Sequence, residues 1–207
     1  MIPYPLAAIP PTVAWCVVHS LWIAPGVQRR LRTALGAYER LAYVVVAATS
    51  LAVLLWWVRG LPHHTLLRFD GALGVVRWVA LAAAAALMVA GARAYDGRAF
   101  LGLRQIAARR DGGTPAPAEL RRDGVLARVR HPWYGAGLLV VLFARDVTDV
   151  GAAYRGVFLL YFLVGAWLEE RKLIAEFGDA YAQYRRDVPA FFPWRRPRRV
   201  CVEGAGR

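Results

Sequence analysis

The sequence predicts an all-α polytopic membrane protein of about five transmembrane helices, the fourth and fifth forming a short helical hairpin, followed by an interfacial helix near the C-terminus. Counting Gly and leaving out Tyr, 130 of the 207 residues are apolar, well above the roughly 45–50% of a soluble globular domain. The apolar residues fall in runs, and a helix of about 20 such residues crosses a hydrocarbon core about 30 Å thick. The formal charge of +13 sits between those runs, and 26 of the 27 basic residues are Arg, Lys172 being the exception. No arginine stripe interleaves with exposed aromatics on a soluble domain, so the basic excess does not describe a nucleic-acid surface.

The elements follow in order. A first span is expected over Leu6 to Val27 and a second over Leu41 to Val58. A third runs from Ala72 to Ala92, with Arg77 near one end, where it can snorkel to the headgroups. The fourth apolar run, Trp133 to Ala144, has only twelve residues, about 18 Å as a helix, too short to cross unaided. Arg145, Asp146 and Asp149 follow at once, and a fifth run extends from Val150 to Leu168 with Arg155 near its start. These two runs read as a tight hairpin that crosses part way or thins the bilayer, with Arg155 placed to pair with Asp146 or Asp149 at its tip.

Orientation follows from the basic residues between spans. Residues 28–40 carry four, residues 93–131 nine and residues 169–207 nine, against Arg59, Arg68 and Arg145 on the other side. The rule places the N-terminus outside and the C-terminal tail in the cytoplasm. The first 28 residues lack Lys and Arg, which argues against a cleavable signal peptide. Cys16, inside a span, and Cys201, in the tail, are not placed to meet, so no disulfide framework is expected. The whole chain, 1–207, reads as one membrane domain: 1–123 with three spans and a loop over Arg109–Asp123, 124–194 with the hairpin and amphipathic helix, and a basic tail over 195–207. His63-His64 are adjacent, point differently on a helix and make a poor chelate, so they read as an interfacial loop and no metal site is expected. His19 lies within a span, where a polar side chain is costly unless paired; it is either a packing histidine or a functional one.

Three features of the last third carry the chemistry. In Arg130-His131-Pro132-Trp133-Tyr134-Gly135, Pro132 suits a first helical turn. The segment is either an interfacial start with an aromatic belt or an anion-binding corner made by helix amides, Arg130 and His131. Glu169-Glu170 end the fifth span, where two carboxylates oppose the helix macrodipole; they pair with Arg171 and Lys172 or face a cationic ligand. Phe177-Gly178-x-x-Tyr181-x-x-Tyr184 places both tyrosines on one helical face beside Leu173. This reads as an amphipathic helix on the membrane surface, followed by a proline-bounded segment, Val188-Pro189 to Phe192-Pro193-Trp194, that folds back over the hairpin mouth.

In that order and spacing, Arg130-His131-Pro132-x-Tyr134-Gly135, Glu169-Glu170-x-x-Leu173, Phe177-Gly178-x-x-Tyr181-x-x-Tyr184 and Val188-Pro189 resemble the signature of the isoprenylcysteine carboxyl methyltransferase and phospholipid methyltransferase superfamily. The match covers about residues 124–194. Upstream, His19-Ser20 and Gly102-Leu103-Arg104-Gln105 are more loosely similar to its bacterial branches, which include denitrification-associated membrane proteins and methanethiol S-methyltransferases. The resemblance implies an integral membrane enzyme using S-adenosyl-L-methionine, with Arg130, His131, Tyr134, Gly135, Glu169, Glu170 and Gln105 at the cofactor and His131, Glu170 and Arg130 in catalysis. It implies a lipophilic or small thiol, carboxylate or amine acceptor and contact with membrane lipids.

The residues suit that donor. Glu169 and Glu170 match its ammonium or ribose hydroxyls, Arg130 and His131 its carboxylate, and Gly135 and Gly137 permit close backbone approach. His131 or Glu170 would be the base for a neutral acceptor. Two departures stand out. Leu126 replaces a tyrosine that many members carry, and Tyr134 is usually absent from the methanethiol enzymes, which counts against that substrate. Two other readings share the motif set: an NADPH-dependent membrane reductase, which the acidic pair disfavours, and a non-enzymatic membrane accessory protein.

Overall fold

The computed structural model describes residues 3–95, 97–110 and 119–194. Its first helix, α1 (Tyr4–Trp22), starts with proline in its first turn, where the missing N–H would be unpaired anyway. It stops at Trp22 because Pro25 opens a separate helix, α2 (Pro25–Leu35), and the proline ring holds Ala24 extended at ψ 135°. The single run expected over Leu6 to Val27 is therefore broken. Gly36, at φ 59°, supplies a left-handed turn that a side chain would resist, and a 3-10 turn at Gly36–Tyr38 leads into α3 (Glu39–Gly60). Strand β1 (Thr65–Leu67), helix α4 (Gly71–Ala94) and two short helices, α5 (Gly97–Phe100) and α6 (Leu103–Arg110), follow. After a 3-10 turn at Gly124–Ala127 come α7 (Pro132–Phe143), β2 (Val147–Thr148), α8 (Asp149–Phe177) and α9 (Asp179–Asp187).

The protein is an all-α polytopic membrane protein. Three helical stretches are long and apolar enough to cross a bilayer: 25–60, Gly71–Ala94 and Asp149–Phe177. α1, diluted by three prolines and by His19, falls outside that set, and α7 is a shorter apolar helix. Trp56, Trp78, Val53 and Leu160 are each more than 60% exposed, an arrangement only an apolar surrounding tolerates over so much surface. α8 has 29 residues, about 44 Å at a helical rise of 1.5 Å, so its last turns from Glu169 onward extend past the apolar run.

Two helix pairs organise the packing, α1 on α8 and α4 on α7, with α7 also against α8. Ala8, Cys16, Leu54, Val58, Val150 and Phe158 form the buried cluster between α1, α3 and α8. Close approach of α4 and α7 uses Gly91, where an added Cβ would lie 2.5 Å from Trp133 Nε1. At the far end, β1 and β2 pair antiparallel with Thr65 opposite Thr148, so the segment after His63-His64 is a strand and not a plain loop. The hairpin tip differs from expectation. Arg155 donates to the carbonyls of Arg145 and Asp146 at 2.9 and 3.0 Å, while the Asp146 carboxylate faces Arg77 at 3.7 Å. The carbonyls left free where α7 ends need donors, and Arg155 reaches them first.

Tyr181 and Tyr184 are 1% and 5% exposed and pack with Val188 against Leu120, Leu173, Ile174 and Phe177. Their shared face packs on protein beside Leu173 and Phe177, as the helical spacing predicts. Tyr184 Oη donates to the Leu126 carbonyl at 2.6 Å, so the backbone of Leu126 is what the tyrosine face uses. The tail over 195–207, with Cys201, and much of the Arg109–Asp123 loop lie outside the described residues.

Candidate functional site

The segment after α9 folds back on the start of α7, as its prolines suggested. The amide of Arg130 donates to the Pro189 carbonyl at 3.0 Å and that of His131 to the Ala190 carbonyl at 2.8 Å. Those two amides precede the helix, whose first turn begins at Pro132. Gly135 serves the same packing: an added Cβ would lie 2.6 Å from the Phe191 carbonyl oxygen. Gly137 is likewise filled by the Phe162 ring at 2.8 Å. The close approaches expected for a cofactor at these two glycines are taken by the protein itself.

Glu170 is the hub of this closure. One carboxylate oxygen accepts from Arg130 Nε at 3.0 Å and faces His131 Nε2 at 3.3 Å; the other meets Arg185 Nε at 3.0 Å. Arg130 adds bonds to the carbonyls of Arg185 and Val188. The motif thus splits: Arg130 and Glu170 neutralise each other inside the C-terminal closure. Their chemistry is tying α7, α8 and α9 together.

Glu169, one residue earlier, turns the other way. It lines a cavity of about 1520 Å³ together with His131, Trp133, Tyr134 and Gln105. Tyr134 lies within electrostatic reach of Glu169, and His131 Nδ1 lies 3.8 Å from the same carboxylate. The two ring nitrogens of His131 therefore face the two adjacent acids, Nε2 toward Glu170 and Nδ1 toward Glu169. Trp133 sits between Tyr95 and Phe100 with ring centroids 4.9 and 4.7 Å away. Gln105 donates to the Ala99 carbonyl, while its Oε1 is buried with no partner among the described residues.

The cavity also has a wall that sequence reasoning did not identify. Trp15, Tyr43, Tyr161 and Phe162 line it beside His19. Glu39, 3% exposed, accepts from Trp22 Nε1 at 3.1 Å and faces Arg32 at 3.5 Å. Arg40 lies over the Phe100 and Tyr43 rings at 5.1 and 5.4 Å. The available signal was positional: Glu39 and Tyr43 are four apart on one face of α3, as Trp15 and His19 are on α1.

Among described residues, the cavity thus presents acids at Glu39, Glu169 and Glu176, cations at Arg32 and Arg40, and eight aromatic side chains. Such a lining accepts a cation through ring faces and a zwitterionic end through paired charges.

A family model described as NnrU protein matches residues 9–144. The chain is 33% identical over 159 residues to methanethiol S-methyltransferase 1 of Bradyrhizobium diazoefficiens, covering 76% of this chain and 55% of that protein. It is 27% identical to the methanethiol S-methyltransferase of Crocosphaera subtropica, covering 75% and 61%. To the enzyme of that name from Mycobacterium tuberculosis it is 28% identical, covering 87% and 74%. The chain therefore spans only a little over half the length of the first of these relatives. No solved structure matches it.

Proposed function

This chain belongs to the NnrU protein family, and from that membership we propose that it is an S-adenosylmethionine-dependent methyltransferase of the bacterial inner membrane acting on a small thiol. The observation that carries the proposal is the Glu169–Tyr134 pair facing an aromatic-walled cavity that also holds the unpartnered Gln105 Oε1. The resemblance to enzymes named methanethiol S-methyltransferase gives the acceptor class. It also outweighs the expectation that Tyr134 disfavours methanethiol.

The residues fit the donor. Glu169 would hold the α-ammonium, and the aromatic faces of Tyr134, Tyr161 and Phe162 suit the sulfonium. Arg40 or Arg32 would take the carboxylate, the part assigned in sequence to Arg130. Gln105 Oε1 needs a donor and would find one on the ribose or the adenine amino group. When bound, S-adenosylmethionine supplies an electrophilic methyl group, which the acceptor sulfur takes with its lone pair as the sulfonium C–S bond breaks. The protein's own part is to hold the acceptor in line and exclude water. Glu170, Arg130 and His131 fix the closure behind the site as positioning residues. The N-terminus lies outside and the donor enters from the cytoplasm, following the basic excess at residues 93–131.

Equilibrium binding of labelled S-adenosylmethionine to the detergent-purified full chain tests this, together with head-space detection of dimethyl sulfide formed from methanethiol. Glu169→Ala is expected to weaken donor binding about tenfold or more, the loss of one charge-assisted bond. Absence of donor binding by the unaltered chain overturns the function; unchanged binding by Glu169→Ala overturns the site.

A further inference from the structure

His19 lies in an apolar helix, where a polar side chain needs a compensating partner. Its Nε2 is 2.6 Å from the Tyr43 hydroxyl, and its ring stacks on Trp15 with centroids 4.8 Å apart and planes 21° from parallel. Tyr161 closes another side edge-on at 6.0 Å and is itself within 3.4 Å of the Ser20 hydroxyl. The ring is thus oriented on three sides by α1, α3 and α8. Nδ1 has only a 3.4 Å contact to the same Tyr43 hydroxyl among the described residues. His19, Tyr43 and Tyr161 all line the cavity that Glu169 and Tyr134 enter.

The two ends of that cavity share one aromatic wall. From Tyr134, ring contacts pass to Phe162 at 6.0 Å, to Tyr161 at 6.2 Å and then to His19. A donor held at Glu169 with its reactive carbon along this wall would have His19 on the acceptor's side. Titratable and charged groups around His19 are Tyr43, Glu39 and Arg40 on α3, Tyr161 on α8 and Cys16 on its own helix.

We propose that His19 is the proton acceptor for the thiol substrate and that Tyr43 sets its tautomer; this rests on the reading of the chain as a thiol methyltransferase. The thiolate, not the thiol, is the nucleophile, and an apolar cavity pushes a thiol further toward its neutral form. A base at the site offsets that cost. His131 is unsuited, because its nitrogens face Glu169 and Glu170 at 3.8 and 3.3 Å. With Nε2–H donated to the Tyr43 oxygen, Nδ1 carries the free lone pair. The thiol S–H bond breaks, its proton passes to Nδ1, and the bonding pair stays on sulfur, giving a thiolate beside an imidazolium. After transfer of the methyl group, the proton leaves to water through the cavity.

The experiment uses the full chain in detergent with methanethiol as the probe, and two readouts. Without donor, the ultraviolet absorbance of bound thiolate at neutral pH is expected for the unaltered protein and is lost in His19→Asn. With donor, His19→Asn lowers kcat/KM about 100-fold at neutral pH, the size expected of general-base catalysis, with donor affinity unchanged. Because thiol ionisation in solution replaces the base, the deficit shrinks as pH rises, which a packing role would not produce. A rate within about threefold of the unaltered enzyme, far below the effect of a general base, or a deficit independent of pH, overturns the proposal. Should His19→Asn fail to fold, Tyr43→Phe keeps the ring and is expected to reduce both the thiolate signal and the rate about tenfold, a lower bound on losing the tautomer control; no change in either overturns it. If the unaltered protein binds no donor, the methyltransferase reading fails separately, because the thiolate readout needs no donor.

Discussion

Arg130 and Glu170, forty residues apart in sequence, meet as a buried ion pair with side chains only 8% and 9% exposed. The pair joins the start of α7 to the end of α8, and Arg185 and the Val188 carbonyl add α9 and the segment beyond it. Glu169, whose side chain is 43% exposed, faces the cavity instead. Adjacent residues on a helix point about 100° apart, which is enough to give two neighbouring acids different work.

That division predicts opposite mutant phenotypes. Glu170→Ala leaves Arg130 buried without its partner and is expected to cost about 3–5 kcal/mol, the range for breaking a buried pair. Thermal unfolding in detergent should show the loss, and limited proteolysis should show earlier cutting between Pro189 and Trp194. Glu169→Ala, at a half-exposed position, should leave the unfolding temperature within a degree or two while weakening donor binding.

The two tyrosines of α9 separate by their hydroxyls. Tyr184→Phe removes the 2.6 Å bond to the Leu126 carbonyl and is expected to cost about 1–3 kcal/mol, since that carbonyl is left unpaired. Tyr181 Oη has no hydrogen-bond partner among the described residues, so Tyr181→Phe should be neutral or stabilising by up to about 1 kcal/mol. Denaturation of both variants in one detergent provides the comparison.

Tyr181 also predicts an alkaline signature. Burial foremost, with the nearby Glu170 charge adding to it, pushes its phenol up to about 12 from an ordinary 10, against the opposing effect of Arg130. The folded state then holds the proton more tightly than the unfolded one. The stability it contributes is fully present below about pH 10 and is lost as pH rises toward 12. Unfolding midpoints measured across that window should fall for the unaltered protein and fall less for Tyr181→Phe.

Glycine substitutions test the closure directly. Gly135→Ala places a Cβ 2.6 Å from the Phe191 carbonyl oxygen, which is backbone, whereas Gly156 has nothing within 4 Å of such an atom. Gly135→Ala is expected to displace the segment after Val188 and cost about 1–3 kcal/mol by overpacking, while Gly156→Ala should be neutral or slightly stabilising because alanine favours helix. Hydrogen exchange at Arg130 and His131, whose amides bond that segment, should rise only in the first variant.

Much of the fold was legible where apolar content and proline punctuation act locally. The runs at 41–58 and 72–92 became α3 and α4 with one or two residues added at each end. The fold-back after Val188 and the Tyr181–Tyr184 face were legible from helical spacing and proline. The break between α1 and α2 was missed, although Pro25 announced it, because total hydropathy averages over a proline. Arg155 was expected on a carboxylate, but charge in sequence does not reveal unpaired carbonyls at a helix end.

The sequence by itself determined the membrane class, the helical hairpin and the set of polar residues gathered in the last third, because hydropathy and spacing are properties of consecutive residues. Only the tertiary structure decided which of those residues face one another. It set Arg130 against Glu170 and turned Glu169 and Tyr134 to the cavity. It also brought His19, Tyr43 and Tyr161 from three helices to the same wall. Burial and ion pairing depend on chain segments far apart in sequence, and no local pattern encodes which carboxylate of an adjacent pair is neutralised and which remains free.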